Sequence, residues 1–223
     1  FPVALVVGVS GGSYSAVAST LSAKTGLRTI AISMPIKQNQ KQHDLSVRHL
    51  KWLENSFDNI ETKIISLDDV FSAFHHTMKQ FDSELAFANS RSRLRMVTLY
   101  QIAQSNQGLV VGTGNKVEDF GVCFFTKSGD GGVDISPIAD CSKSQVWEMG
   151  KEFGLNNEII KAKPTDGLCD DFRNDEDQIG LSYQQIEDAM ENEKSPFYEK
   201  FKKIRTHNLH KMNPIPVCKM RDD

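Results

Sequence analysis

The sequence predicts an α/β protein: a doubly wound parallel sheet with helices on both faces. Three observations carry this. Short apolar, β-branched runs alternate with amphipathic helical stretches through the first half of the chain, as expected of a parallel sheet whose crossovers are helices. Two of those runs end in loops of small residues, Gly11-Gly12 and Gly112-Thr113-Gly114. The 223 residues show no internal repeat, and that length suits one domain with a substantial core, so residues 1–223 are read as a single unit.

The organising stretch is VALVVGVSGGSYS, Val3 to Ser15. A buried strand runs into a Gly-Gly pair between serines, and a helical pattern follows. Glycines let a backbone approach an anion closely, and successive N–H groups with a helix N-terminus face it. No Gly-Lys-Ser/Thr follows, so this is not a Walker loop. A plain strand-to-helix turn is the other reading of these residues alone.

The remaining elements follow in order. A first helix is expected from Ser15 to Lys24, stopping at Gly26, and a second strand over Leu27 to Met34. Lys37 to Gln42 reads as a polar loop, either simply solvated or a lid. His43 to Phe57 has apolar residues three and four apart and is read as a helix. Ile60 to Leu67 is a third strand, and Asp68 or Asp69 is the expected cap of a helix carrying Phe71, Phe74, Met78 and Phe81 as a core stripe. Asn89 to Gln104 is read as the next helix, with Arg91, Arg93 and Arg95 in its first turns. There they oppose the helix dipole, so they are either a solvated face or an anion site. Leu109 to Val111 is a fourth strand. In such sheets ligands bind beyond the carboxyl ends of strands where the order reverses, and the loops after strands one and four are expected to flank that point.

Beyond Glu118 the pattern becomes irregular and glycine-rich through Gly132. Ser142 with Gln145, and Ser182 with Gln185, read as capping boxes opening helices that end near Gly154 and Glu191. Pro164 to Leu168 is a turn, Cys169 to Asp177 an acidic excursion, and Phe197 to His207 a last helix.

Composition narrows the functional classes. A net charge of −3 gives no case for nucleic-acid binding but allows a nucleotide held by local positive charge. No apolar run approaches a membrane span, and no signal sequence opens the chain. The four cysteines, Cys123, Cys141, Cys169 and Cys218, include no C-x-x-C pair, so free thiols in a reducing, cytoplasmic setting are expected rather than disulfides or zinc. Adjacent His75 and His76 suit a solvated helix face.

Taken together, these residues resemble the ammonia-dependent NAD synthetases, within the ATP pyrophosphatases that carry an S-G-G-x-D-S loop. Ser10-Gly11-Gly12-Ser13-Tyr14-Ser15 is similar to that loop. Asn89 to Met96 is similar to N-x-x-x-R-x-R-M, Gly112 to Glu118 to G-T-x-N/H-x-x-E, and FFTKSGDGGVD, Phe124 to Asp134, to the family's most specific stretch. Pro164-Thr165-x-x-Leu168, Gly180-x-Ser182-Tyr183 and His210-Lys211 follow in the family's order.

The resemblance implies a Rossmann-like, adenine nucleotide alpha hydrolase-like fold and a C–N ligase. The nicotinate carboxylate of deamido-NAD+ is adenylated by ATP, pyrophosphate leaves, and ammonia converts the adenylate to NAD+ and AMP. It implies ATP contacts from Gly8, Val9, Ser10, Gly11, Gly12, Ser13, Tyr14, Ser15, Thr113, Lys143 and Thr165. It implies Mg2+ on Glu118, and deamido-NAD+ contacts from Arg93, Lys127, Asp134, His210 and Lys211. Lys143, Thr165 and Glu118 would serve catalysis. As bare residues these charged groups read as solvated surface charges or a loop-structuring aspartate; their joint occurrence in the family's order favours the site reading.

The family is a homodimer, so a homodimer is expected, with no nucleic-acid or membrane partner. Two departures stand out. Tyr14 occupies the place of the family's loop aspartate, and a neutral phenol is a poor magnesium ligand. The chain also opens directly on a strand, without the family's N-terminal helix, as if a segment preceded it. The alternatives are a nucleotide-binding relative impaired in turnover, or another ATP pyrophosphatase such as a tRNA thiolase, against which the charge and the scattered cysteines argue.

Overall fold

The computed structural model describes residues 3–162 and 175–220. In chain order its regular elements are β1 (Ala4–Gly8), α1 (Ser13–Lys24), β2 (Arg28–Ser33), α2 (Gln40–Ser56), β3 (Ile60–Ile64), α3 (Asp68–Thr77), α4 (Glu84–Ser105) and β4 (Gly108–Val111). Then come α5 (Lys143–Glu152), the single turn α6 (Asn157–Ile160), α7 (Asp175–Ile179), α8 (Tyr183–Glu191) and α9 (Tyr198–Asn208). The four strands are all parallel, in the order β3-β2-β1-β4. The expected doubly wound α/β architecture is therefore present.

Strand alternation decides which residues reach which layer. Val6, Ile30, Ile32 and Val110 point to one face, where Phe71 of α3 and Phe87, Met96 and Leu99 of α4 cover them. Leu5, Val7, Ala31 and Val111 point to the other, against Leu50 and Leu53 of α2. Both faces are buried, which is why the strands read as unbroken apolar runs. Each large side chain fully buried here, such as Leu53 or Ile32, contributes about 2 kcal/mol of transfer free energy. Outside α1, Val146 of α5 and Ile159 of α6 join Ala16 and Val17 in a second core. Ile186 of α8 and Phe201 of α9 build a third around Val117.

The boundaries differ from expectation in instructive places. α4 starts at Glu84 behind a Ser83 cap, so the three arginines sit inside the helix, where its N-terminal dipole does not oppose them. α2 starts at Gln40, because the Asn39 side chain accepts the Lys41 N–H at 2.8 Å; the polar loop is shorter than its composition suggested. α3 has Leu67 at its cap position without a side-chain hydrogen bond. Asp68 instead accepts the Lys37 N–H, tying α3 to the loop after β2. Phe81 falls in a 3-10 turn beyond α3 and is exposed, so the core stripe ends at Met78. His75, on the exposed face of α3, lies 4.4 Å from the Phe87 ring, centroid to centroid. Residues 116–121 form a π-helical turn, a geometry that recurs at functional sites. Both capping boxes are formed, at Ser142/Gln145 and Ser182/Gln185.

Candidate active site

Three strands run outward in the sequence β1, β2, β3, and β4 then returns to the opposite side of β1. The crevice of a doubly wound sheet opens at such a reversal. A cleft of about 1000 Å³ lies there, lined by Gly8, the loop Ser10 to Ser15, and Gly112-Thr113-Gly114.

The β1–α1 loop is locked by its own serines. Ser15 Oγ accepts the Ser10 N–H at 3.1 Å and donates to the Gly12 carbonyl at 3.0 Å. Gly11 has φ +93°, and a Cβ there would meet the Gln42 carbonyl at 2.6 Å; α2 thus packs directly against the turn. Gly12 is the α1 cap, and no side chain caps the helix, which leaves first-turn N–H groups free of a side-chain acceptor at an anion-favouring helix end. Val9 differs from its neighbours: its N–H bonds the Ile32 carbonyl and its side chain is buried beneath the sheet.

Glu118 stands across the cleft. Asn115 opens its turn, accepting both the Val117 and Glu118 N–H groups on Oδ1 at 2.9 and 3.1 Å. The carboxylate is buried, and burial raises its pKa. Hydrogen-bonding contact from Tyr183 and Tyr14, the charge of Lys143 and Asn115 pull the other way. Tyr14 thus meets Glu118 on the inside of the cleft, while Lys143 lies behind it, its Nζ 3.3 Å from the Tyr183 ring centroid.

The residues expected on the dinucleotide form a separate group. Arg93 Nε donates to the Lys127 carbonyl at 3.2 Å, and Lys127 Nζ to the His210 carbonyl at 3.1 Å. Lys211 Nζ donates to the carbonyls of Cys123 and Phe125 at 3.0 and 2.9 Å; burial lowers its pKa. None of the four lines the cleft. Asp134 bridges β4 and α4. Thr113 lines the cleft. Thr165 lies outside the described residues, as do Pro164, Leu168 and Cys169.

Several lining residues lie outside the expected ligand contacts, although Arg95 belongs to the arginine run read as a solvated face or an anion site. Arg95 lines the cleft and bonds the Met34 carbonyl at 3.1 Å; it belongs to the same arginine run as Arg93, and only helix phase separates the two. Ser92 donates to Asp130 Oδ1 at 2.7 Å, which seats the glycine-rich loop on α4. Lys41, within the stretch read as a solvated loop or a lid, also lines the cleft, as does Lys161, which no local pattern marked.

Chemically, the cleft offers backbone donors and lysines for phosphates and one buried carboxylate for a cation. Ser10 and Ser15 bond each other, and no histidine is among the described residues that line the cleft; the Ser19–His49 contact is buried outside that lining. Transfer between bound substrates is the chemistry this arrangement suits.

Comparisons with known proteins agree. The family model described as NAD synthase matches residues 3–221. The NH(3)-dependent NAD(+) synthetase of Finegoldia magna is 36% identical over 188 residues, 84% of this chain and 75% of its own. That of Alkaliphilus metalliredigens is 34% identical over 226 residues, covering 95% and 89%. Among solved structures, the NMN synthetase of Francisella tularensis superposes with a TM-score of 0.88 at 32% identity, covering 98% of this chain and 90% of that one. The NH3-dependent NAD synthetase of Campylobacter jejuni, at 23% identity and TM-score 0.76, shows the shared fold. With a family model spanning nearly every residue and relatives above 30% identity over most of their length, the chain belongs to the NAD synthase family.

Proposed function

We propose that this cleft carries out ammonia-dependent NAD+ synthesis: adenylation of the nicotinate carboxylate of deamido-NAD+ by ATP, then amidation by ammonia, with AMP and pyrophosphate released. The observation that carries the proposal is the serine-locked Gly11-Gly12 loop facing buried Glu118 across the sheet's reversal point.

In this reading the loop N–H groups and the α1 N-terminus hold the ATP phosphates. Thr113 approaches from the β4 side, and Lys143 follows the negative charge that develops on leaving pyrophosphate. Arg93, Lys127, Asp134, His210 and Lys211 belong to the deamido-NAD+ side. The carboxylate attacks the α-phosphorus directly and the adenylate is opened by ammonia, so no protein nucleophile is required. Thr165 is included by its place in the motif alone.

The residues fit a magnesium ion that arrives with ATP. Among the described residues no three His, Cys, Asp or Glu side chains cluster to hold a metal alone. Glu118 is a single buried carboxylate whose Oε1 has no well-aligned hydrogen bond among the described residues, and Mg2+ is commonly held by one or two carboxylates with substrate phosphates. Bound there, the ion would neutralise phosphate charge.

A homodimer belongs to the same proposal. A shallow depression lined by Val97, Tyr100, Ser128 and Gly132 lies beside the Asp134 loop, and Val97 is 66% exposed on α4. A second copy over this face would enclose the substrate; light scattering giving a monomer mass at micromolar concentration would count against it. Among the described residues no helix is long and apolar enough to cross a membrane. Cys123, Cys141 and Cys218 are free thiols, in keeping with a cytoplasmic setting.

The test is a coupled assay with ATP, Mg2+, deamido-NAD+ and ammonium, quantifying NAD+ and AMP. One AMP per NAD+, dependent on ammonium, is the expected result; ATP binding without NAD+ formation would indicate a relative impaired in turnover. Because a relative at 32% identity is named an NMN synthetase, the deamido mononucleotide is offered in parallel, and preference for it would move the substrate assignment from dinucleotide to mononucleotide.

A further inference from the structure

Lys143 and Tyr183 occupy equivalent places in two similar local structures. Each is the first helical residue behind a complete capping box, Ser142/Gln145 for α5 and Ser182/Gln185 for α8. The two helix starts meet. The Lys143 N–H reaches Glu187 Oε1 of α8 at 3.4 Å, and the Tyr183 N–H is held by Glu176 Oε1 at 2.9 Å. There the Lys143 ammonium sits over the Tyr183 ring, 3.3 Å from its centre, and over the Trp147 ring at 5.3 Å.

A lysine at a helix N-terminus is placed against the dipole, and a flexible four-carbon stem gives it no fixed direction. Something must hold it. Two aromatic faces provide an electrostatic seat. Tyr183 is 5% exposed and packs in the third core with Ile186 and Phe201, so its ring is itself held by packing. The same Tyr183 makes hydrogen-bonding contact with Glu118, on which the Lys143 charge also acts.

We infer that Tyr183 is a positioning residue for Lys143: its ring face seats the ammonium and holds that charge beside Glu118 before substrate arrives. The consequence rests on the synthetase reading. A pre-placed cation matters when charge develops on leaving pyrophosphate, more than when ATP first binds. Loss of the seat therefore lowers kcat and leaves KM for ATP nearly unchanged. The seat also ties the α8–α9 core to the cleft, since Tyr183 belongs to one and touches the lining of the other.

The test is a double-mutant cycle with one spectroscopic control. Tyr183→Leu removes the ring and is expected to lower kcat by about tenfold with KM for ATP within about twofold. Tyr183→Phe keeps the ring and is expected to retain kcat within about threefold. If Tyr183 acts through Lys143, then Lys143→Met and Lys143→Met/Tyr183→Leu have kcat values within about twofold of each other. Losses that multiply in the double variant, or a Tyr183→Leu enzyme with wild-type kcat, would overturn the inference.

Should Tyr183→Leu fail to fold, NMR of 13C-labelled lysine in the wild-type protein decides. The Lys143 ε-methylene, assigned by its absence in Lys143→Met, is expected upfield of every other lysine because of the ring face, and to remain so in Tyr183→Phe. An ordinary lysine position would refute the seat. If wild-type enzyme makes no NAD+, the synthetase reading fails while the NMR result still tests the seat separately.

Discussion

The Tyr100 hydroxyl donates to Asp134 Oδ1 at 2.9 Å, and the other Asp134 oxygen accepts the Val110 N–H at 2.8 Å. One carboxylate thus joins α4, the end of β4 and the glycine-rich segment that precedes it. The Tyr100 pKa is pushed up to about 12 by burial first, then by its bond to Asp134 and by that charge. Asp134→Ala would leave the N–H of fully buried Val110 without its acceptor and cost about 2 kcal/mol, whereas Tyr100→Phe would cost about 1 kcal/mol. Urea unfolding distinguishes them; equal stability of Asp134→Ala and wild type would show that the residue serves only the substrate.

Gly11 and Gly26 form a matched pair for testing the phosphate loop. Both have positive φ, +93° and +76°, but a Cβ on Gly11 would lie 2.6 Å from the Gln42 carbonyl, while Gly26 has nothing within 4 Å. Gly26→Ala bears only backbone strain, about 1 kcal/mol. Gly11→Ala bears that strain and must also push α2 away from the cleft wall. ATP affinity by calorimetry is expected to fall more than about tenfold in Gly11→Ala, against no change in Gly26→Ala. Equal ATP affinities would mean that the loop does not carry the phosphates.

What was legible in the sequence was what local physics dictates. The strands announced themselves because both sheet faces are buried, and the capping boxes because their chemistry is local to four residues. The start of α4 was missed because Ser83-Glu84 follows an exposed polar stretch without an apolar stripe; this displaced the arginines into a dipole argument that does not apply. Arg95 and Arg93 illustrate the limit within a motif: two positions apart on one helix, they diverge to the cleft and to Lys127. Lys41 and Lys161 reach the cleft from segments distant in sequence, and only the packing of α2 and α6 brings them together. The seating of Lys143 on Tyr183 was likewise invisible, since it depends on two helix starts meeting across different cores.

Tyr14 lines the cleft and contacts Glu118. A phenol there supplies a neutral oxygen where a second carboxylate would raise metal affinity. Tyr14→Asp is expected to strengthen binding of Mn2+, used as a spectroscopic stand-in for Mg2+, by about tenfold in the absence of ATP. ATP affinity should change less than turnover, because the phosphate-facing glycines are untouched. If Tyr14→Asp gains neither metal affinity nor rate, the phenol is not what limits metal binding, and Glu118 with the phosphates suffices.

His49 sets an acid limit on stability that is separable from catalysis. Its ring is buried against Trp52, centroids 5.5 Å apart, with Nε2 2.9 Å from Ser19 Oγ. Burial lowers its pKa from 6.5 to about 4, partly offset by a backbone hydrogen bond to Ala16. The folded state therefore holds a neutral ring where the unfolded chain would bind a proton. Between about pH 6.5 and 4 the unfolded state carries more protons, so stability is full above this window and is lost as pH falls through it, by about 3 kcal/mol. Glu61, whose pKa is lowered by Lys63 and Arg28, acts in the same direction but at lower pH, below the ordinary carboxylate value. Denaturant midpoints measured across pH 4 to 7 are expected to slope steeply in wild type and much less in His49→Gln, which keeps a polar partner for Ser19 and cannot titrate. A slope unchanged by the substitution would move the acid sensitivity to the carboxylates.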